Sequence, residues 1–74
     1  MTYFPELKDA ALQIDEVGTV TYIGKAESGS TTSVAVWQIK RIDETGSPEL
    51  VVKWADGDRN YDNIWDNRES LDYS

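Results

Sequence analysis

The sequence of 74 residues contains no cysteine and no histidine. Without cysteine the chain cannot form a disulfide, and without either residue type the usual transition-metal sites are excluded. The same absences remove the commonest general base and one of the best nucleophiles. Because only carboxylates, Lys, Tyr and Ser or Thr remain for chemistry, the composition predicts a protein that is not an enzyme and has no cofactor.

Basic residues and long apolar runs are scarce as well. Seven Lys and Arg stand against fourteen Asp and Glu, which gives a formal charge of −7. This excess of acid opposes nucleic-acid binding, since contacts to phosphate are made by Lys and Arg. No apolar run approaches the ~20 residues that span a bilayer, and the first residues lack the features of a signal peptide. We therefore expect a chain made in the cytoplasm that binds neither nucleic acid nor membrane.

The chain is short enough for one small β domain, predicted over residues 1–74. A domain of this size buries only ~60% of the surface of its unfolded chain, and small domains usually add disulfides, a metal or partner chains. An oxygen-only cation site and oligomerisation remain, and we expect a homo-oligomer. Residues 1–11 show no clear period around Pro5. They are interpreted as an N-terminal arm or as one or two helical turns.

Alternating apolar and β-branched residues predict a mostly β fold. Such segments occur at 19–23, 33–42 and 50–55, and another alternation starts at Leu12. The Gly-, Ser- and Thr-rich stretch 24–32 is interpreted as a flexible hairpin loop. The second of the three strands, apolar on both faces, is predicted to be central. The expected architecture is a small antiparallel sheet, barrel or sandwich of roughly three to five strands, with short helical turns near the termini.

The alternation also assigns a core. Trp37 and Ile39 share one face of the second strand, and Val52 and Trp54 share one face of the third. Because these strands are expected to pair, Trp37 and Trp54 are predicted to pack across them. The predicted core consists of Tyr22, Trp37, Ile39, Val52 and Trp54.

The last 21 residues combine two tryptophans, two tyrosines and six acidic side chains. This segment is too apolar for a solubilising tail. Asp62 is a candidate N-cap for a short helix; a packed loop and an edge strand over 70–74 are the alternatives. Aromatic and Arg residues are enriched at protein interfaces, and the predicted interface anchors are Trp65, Tyr73, Tyr61 and Arg68. For Arg68, which stands among Asp62, Asp66 and Glu69, a bidentate salt bridge within the chain is the first interpretation, and a bridge to an adjacent subunit is the alternative.

Four oxygen-bearing side chains in this segment stand at alternate positions: Asp56, Asp58, Asn60 and Asp62. This spacing opens a calcium loop, but Tyr61 stands where such a loop has Gly and Asn67 where it has a bidentate Glu. The alternative is that these side chains form turns with nearby backbone. We predict no metal.

The carboxylates Asp58, Asp62 and Asp66 are also the candidates for an acid–base pair. A catalytic carboxylate needs a pocket that shifts its pKa, and a domain this small has little volume for one. We therefore assign no catalytic residue and expect no small-molecule substrate.

Three stretches carry a resemblance: Tyr22-Ile-Gly-Lys-Ala, Val36-Trp-Gln-Ile-Lys-Arg-Ile42, and Trp54-Ala-Asp-Gly-Asp with the residues from Tyr61 to Ser74. Together they resemble a group of short, uncharacterised proteins encoded by tailed bacteriophages and marine viral genomes. The resemblance covers about residues 20–74, and its specific part is the C-terminal motif. It implies a virion or an infected bacterium as the setting, and it implies no catalytic or binding residues.

The predicted function is that of a non-enzymatic virion structural protein. It would be a capsid decoration (cement) protein or a small tail- or fibre-associated part, which binds itself and other virion proteins. One alternative is a soluble acidic inhibitor that mimics DNA and blocks a host enzyme. Another is a small oligomeric barrel of the Sm-like or SH3-like type, an analogy of fold that says little about function.

Overall fold

A computed structural model describes residues 10–74, which form a mostly β fold around one antiparallel sheet. Four strands lie side by side in chain order: β1 (Ala10–Val17), β2 (Val20–Glu27), β3 (Ala35–Asp43) and β4 (Val51–Trp54). A two-residue strand, β5 (Asn63–Ile64), also pairs with β3. Most of the predicted arm, residues 1–9, lies outside the described residues.

The first hairpin is set by a two-residue turn. Gly18 has φ +60°, as the first central position of a type II′ turn requires, and such turns match the twist of the flanking strands. Val17 therefore pairs with Val20, and the register continues unbroken to Ala10 opposite Glu27. Gly18 is thus the first of the two turn residues.

Strand β3 is central, as predicted. It pairs with β2 along one edge and with both β4 and β5 along the other. The short β5 is held by Asn63, which is buried and donates a hydrogen bond from Nδ2 to the carbonyl oxygen of Trp37 at 3.1 Å. The residue after β4, Ala55, donates its N–H to the carbonyl oxygen of Ile39 at 2.9 Å.

One face of the sheet, here named the covered face, is packed against the residues that follow β5. Its core contains two tryptophans whose ring centroids lie 6.0 Å apart, and it consists of Ala26, Trp37, Ile39, Ala55 and Trp65. Tyr22 packs against this core half-buried. The core prediction is therefore confirmed for Trp37 and Ile39, and Tyr22 lies at the edge of the core.

The opposite face, here named the open face, carries Leu12, Ile14, Ile23, Ile42, Val52 and Trp54. The prediction that Val52 and Trp54 share a core with Trp37 is wrong. The β3–β4 register pairs Trp54 with Lys40 and Val52 with Ile42, and directly opposed residues share a face. Because Lys40 and Ile42 alternate with Trp37 and Ile39 along β3, Val52 and Trp54 lie on the other side of the sheet.

The predicted flexible loop also starts later than expected. Strand β2 continues to Glu27, so that Gly24 is a buried strand residue, and the connection to β3 covers 28–34. This connection is held to the core by the indole Nε1 of Trp37, which donates to the carbonyl oxygen of Thr31 at 2.9 Å.

The one helix in residues 10–74 is a 3-10 helix, Trp65–Ser70. It is preceded by Ile64 and has no side-chain cap, so the capping role predicted for Asp62 is wrong. The predicted edge strand over 70–74 is present as a short pairing. Tyr73 bridges to Ala55, and Trp54 and Ser74 exchange backbone hydrogen bonds of 3.2 and 3.1 Å. Within the described part of the chain no helix has the length and apolar character needed to cross a membrane.

Candidate functional site

The open face exposes large apolar side chains. Leu12 is 53% exposed, Ile14 66% and Val52 50%. These three residues lie on the two outer strands, and Ile23 and Ile42 lie half-buried between them. Ile14 is opposite Ile23, and Ile42 is opposite Val52. Since a contiguous exposed apolar patch marks a site of protein association, the open face is the candidate binding surface.

The open face also gathers lysines. Lys25 and Lys40 lie among its apolar side chains, and the Lys40 ammonium is 5.5 Å from the centroid of the Trp54 ring. Their aliphatic stems extend the apolar surface while the ammonium groups meet solvent. Glu16 and Glu27 lie at its margin. On a chain of charge −7, this face suits a partner that offers apolar side chains and carboxylates.

A shallow cleft adjoins the open face at Trp54. Its volume is about 560 Å³, it opens broadly to solvent, and its remaining lining is Gly57, Asp58, Arg59 and Asn60. The Gln38 amide donates to the carbonyl oxygen of Arg59 at 2.9 Å and holds this loop against the sheet. The cleft extends the binding surface and has no enclosed volume for a small molecule.

The predicted calcium ligands lie in this same turn. Asp56 and Gly57 have positive φ, and Asp58 Oδ1 accepts a hydrogen bond of 3.0 Å from the backbone N–H of Asn60. This is the turn chemistry considered as the alternative. Across residues 10–74 no group of three or more carboxylates lies close enough together to hold a metal ion. The spacing in the sequence therefore does not bring the candidate ligands to one point.

Arg68 fastens the C-terminal segment to the sheet. Its Nε and Nη2 both donate to Asp15 Oδ2, at 3.0 and 2.8 Å, and its Nη1 donates to the carbonyl oxygen of Trp65 at 3.2 Å. The guanidinium also lies 4.7 Å from the centroid of the Trp65 ring. A salt bridge within the chain is thus confirmed, but its partner is the distant Asp15 and not one of the acids near Arg68 in the sequence.

Tyr73 completes this packing. Its hydroxyl donates to the carbonyl oxygen of Arg68 at 2.7 Å, and its ring lies 5.8 Å from that of Tyr22 and 4.8 Å from the Arg41 guanidinium. Trp65 is only 5% exposed. Trp65, Arg68 and Tyr73 therefore pack on the covered face of their own chain. Trp65 has almost no surface left for a partner, and for the half-buried Arg68 and Tyr73 the role of interface anchor stays a prediction. Of the four, Tyr61 is on the surface, 48% exposed.

The structure adds two surface residues that the sequence did not assign to an interface, Leu12 and Ile14. Their signal was the alternation Leu12-Gln13-Ile14-Asp15, which predicts one apolar face. It did not say whether that face meets the core or solvent, since this depends on which side the C-terminal segment packs.

The burial of Tyr73 makes the stability of the fold depend on pH. Desolvation of its hydroxyl, with a smaller effect of the neighbouring Tyr22, raises the pKa of Tyr73 from 10.0 to about 12. In the unfolded chain this group ionises near pH 10. Its contribution to stability is therefore complete below about pH 10. It is lost as the pH rises to about 12, because the unfolded state releases a proton that the folded state keeps.

We expect the free energy of unfolding to fall between about pH 10 and about pH 12, and to fall less in Tyr73→Phe. At neutral pH the same variant should lose about 1 kcal/mol, the usual net value of one hydrogen bond. Urea unfolding of both proteins on either side of pH 10 measures the difference. Equal falls in the two proteins would show that Tyr73 is not the group responsible.

Comparison with known proteins found no match, so the site is interpreted from its own residues. No family model matches the chain, and neither a curated protein nor a solved structure matches it. The resemblance to short phage proteins accordingly stays a prediction made from sequence motifs.

Proposed function

We propose that this chain is a non-enzymatic structural component of a bacteriophage virion, either a capsid decoration protein or a small tail- or fibre-associated part. It works by binding other virion proteins through the open face of its sheet. The observation that carries this proposal is the set of exposed apolar side chains on the two outer strands, Leu12, Ile14 and Val52, on a face that the C-terminal segment leaves uncovered.

The energetics support a binding role for this face. Complete burial of one Val, Leu or Ile side chain contributes about 1.5–3 kcal/mol. The exposed parts of Leu12, Ile14 and Val52 would contribute to binding when a partner covers them. A domain of 74 residues has a stability on the order of 4–11 kcal/mol by the usual value per residue. Association through the open face would therefore add a large fraction of the domain's own stability. A small protein that is attached in many copies to a large particle would be stabilised by this association.

The chemistry of the face restricts the partner. Lys25 and Lys40 sit within the apolar rows, so the partner surface should be apolar with carboxylates placed to meet the two ammonium groups. An acidic or apolar patch on a capsid or tail protein fits this description. A nucleic acid does not, because two lysines on a chain of charge −7 give little attraction for a phosphate backbone.

The test compares two valines of equal exposure. Val52, on the open face, is 50% exposed, and Val34, in the connection before β3, is 48% exposed. Val52→Glu should lower the amount of protein in purified virus particles by about tenfold or more, because a buried apolar contact is replaced by a desolvated charge. Val34→Glu should be incorporated normally.

Quantitative mass spectrometry of purified particles gives the readout, and thermal unfolding shows that both variants fold. Wild-type protein is expected in a fixed ratio to a known capsid or tail protein. Its absence from the particles would overturn the virion assignment, and equal incorporation of the two variants would move the interface away from the open face.

The placement of the acids favours one second candidate, inhibition of a host enzyme by DNA mimicry. Five exposed carboxylates belong to the segment from β4 to the C-terminus: Asp56, Asp62, Asp66, Glu69 and Asp72. Binding through such a surface would weaken steeply with salt and would be insensitive to Val52→Glu. A pull-down of a host nucleic-acid enzyme with that salt dependence would favour this candidate over the structural role.

A further inference from the structure

The two outer strands of the sheet differ in how their free edges are protected. Within residues 10–74, β1 pairs with β2 alone, and all eight of its residues stand in regular register. Natural edge strands are usually kept short, interrupted by a bulge, or marked by Lys or Pro. Strand β1 has the sequence Ala-Ala-Leu-Gln-Ile-Asp-Glu-Val, without a bulge, Lys or Pro, and its two charged residues, Asp15 and Glu16, lie near its C-terminal end.

The outer edge of β4, on the other side of the sheet, is protected. Strand β4 is four residues long and contains Lys53. At its end Trp54 exchanges two backbone hydrogen bonds with Ser74, so the C-terminus occupies part of this edge. Among residues 10–74 the fold therefore protects one edge and leaves the eight-residue β1 without a strand on its outer side.

The register fixes which backbone groups β1 presents to a partner. Glu44 donates its N–H to the carbonyl oxygen of Thr19, so the odd residues of β2 bond toward β3 and the even residues toward β1. The even residues of β2 oppose the odd residues of β1. It follows that the backbone N–H and C=O groups of Ala10, Leu12, Ile14 and Glu16 lie in the plane of the sheet and point to the side opposite β2.

We propose that β1 pairs antiparallel with β1 of a second copy, so that two sheets join into one continuous sheet. The inference rests on the proposed function, since it names a partner for a protein that acts by binding proteins. In the register that we infer, Leu12 lies opposite Ile14 of the partner subunit, and Gln13 lies on the two-fold axis.

This register follows from the side chains. It places the two most exposed apolar residues of the strand, Leu12 and Ile14, directly against each other twice across the axis, on the open face. The acids Asp15 and Glu16 then oppose Ala11 and Ala10, so no like charges face each other. The open faces of the two copies lie on the same side, and their apolar rows become continuous.

Because the chain has no cysteine, a single substitution tests the register. Across the axis the two Gln13 positions form a non-hydrogen-bonded pair with Cα atoms about 4.5 Å apart, which is within the range for a disulfide. Gln13→Cys should form a cross-linked dimer under mild oxidation of the native protein. Ser33→Cys, exposed in the connection before β3, is the matched control and should stay uncross-linked. Equal cross-linking of the two variants would overturn the proposed register.

A charge-swap pair tests the pairing without a cross-link. The double variant Leu12→Lys/Ile14→Lys should raise the dissociation constant of the dimer by about tenfold or more, because apolar pairs become like-charge pairs. Leu12→Glu/Ile14→Glu should do the same. An equimolar mixture of the two should restore dimers, now with opposite charges facing each other.

Sedimentation equilibrium gives the masses. A wild-type dimer, two weakened variants and a restored mixture are the expected result. A wild-type monomer at micromolar concentration, or a mixture that stays monomeric although both variants fold, would overturn the inference. The virion experiment remains separate: a dimer that is absent from particles would contradict the proposed function alone, and a monomer that is incorporated would contradict the pairing alone.

Discussion

Gly24→Ala is expected to destabilise the domain by about 1–3 kcal/mol, the usual cost of overfilling a core. A β-carbon at position 24 would lie 2.5 Å from Cε3 and 2.7 Å from Cζ3 of Trp65, and 3.1 Å from Cε3 of Trp37. Neither ring has room to withdraw, since Trp37 is fully buried and Trp65 is 5% exposed. Thermal unfolding should show the loss as a fall in Tm of roughly 4–8 °C per kcal/mol.

Gly46→Ala is the control for this substitution. Gly46 lies in the turn between β3 and β4, and a β-carbon there would meet no atom within 4 Å. Its Tm should stay close to that of the wild type or rise slightly, because alanine restricts the unfolded chain. Equal losses of stability in the two variants would show that the cost of Gly24→Ala does not come from contact with Trp65.

Trp65→Ala is expected to destabilise the domain by about 3–5 kcal/mol. The ring packs on Trp37 and Gly24 and carries the Arg68 guanidinium on its face. Its removal leaves a cavity and also loosens the segment that bonds to Asp15. Against a total stability on the order of 4–11 kcal/mol, this loss removes a large fraction of the free energy of unfolding, and Tm should fall accordingly.

Tyr61→Ala is the matched control for the loss of an aromatic ring. Tyr61 belongs to the same segment and is 48% exposed, so its replacement should change stability by no more than about 0.5 kcal/mol. Chemical denaturation of both variants measures the contrast. A cost for Tyr61→Ala as large as for Trp65→Ala would indicate that the exposed ring is buried by a further contact.

The two core positions should also be coupled. In a Trp65→Leu background, which keeps an apolar side chain, Gly24→Ala should cost less than in the wild type, because the added methyl group enters space that the indole has vacated. A double-mutant cycle isolates this interaction energy, expected within about 0.5–3 kcal/mol for residues in contact. Additive costs would contradict direct contact between these positions.

The strands could be predicted because their signal is local. The alternation of apolar and polar residues marked β3 and β4 to within a few residues. The faces of β4 could not be predicted in the same way. Whether Trp54 lies beside Trp37 depends on the register between β3 and β4, and the observed pairing of Lys40 with Trp54 is not specified by the pattern of either strand.

The contacts of the covered face are long-range, which is why the sequence did not reveal them. Arg68 bonds to Asp15 across 53 positions, although acids much nearer in sequence surround it. Gly24 did leave a signal, since a glycine inside a β-branched and aromatic strand often marks a close approach of another group. The glycine, serine and threonine residues that follow made a loop the simpler interpretation.

The unequal edges of the sheet also limit how far this molecule can polymerise. In the terms of polymer chemistry, a unit with two joining ends propagates a chain, whereas a unit with one joining end forms a pair and stops. Strand β4, short and partly occupied by Ser74, leaves β1 as the one long joining end among residues 10–74. If copies pair through β1 as we propose, strand pairing closes at two and does not continue into a fibre.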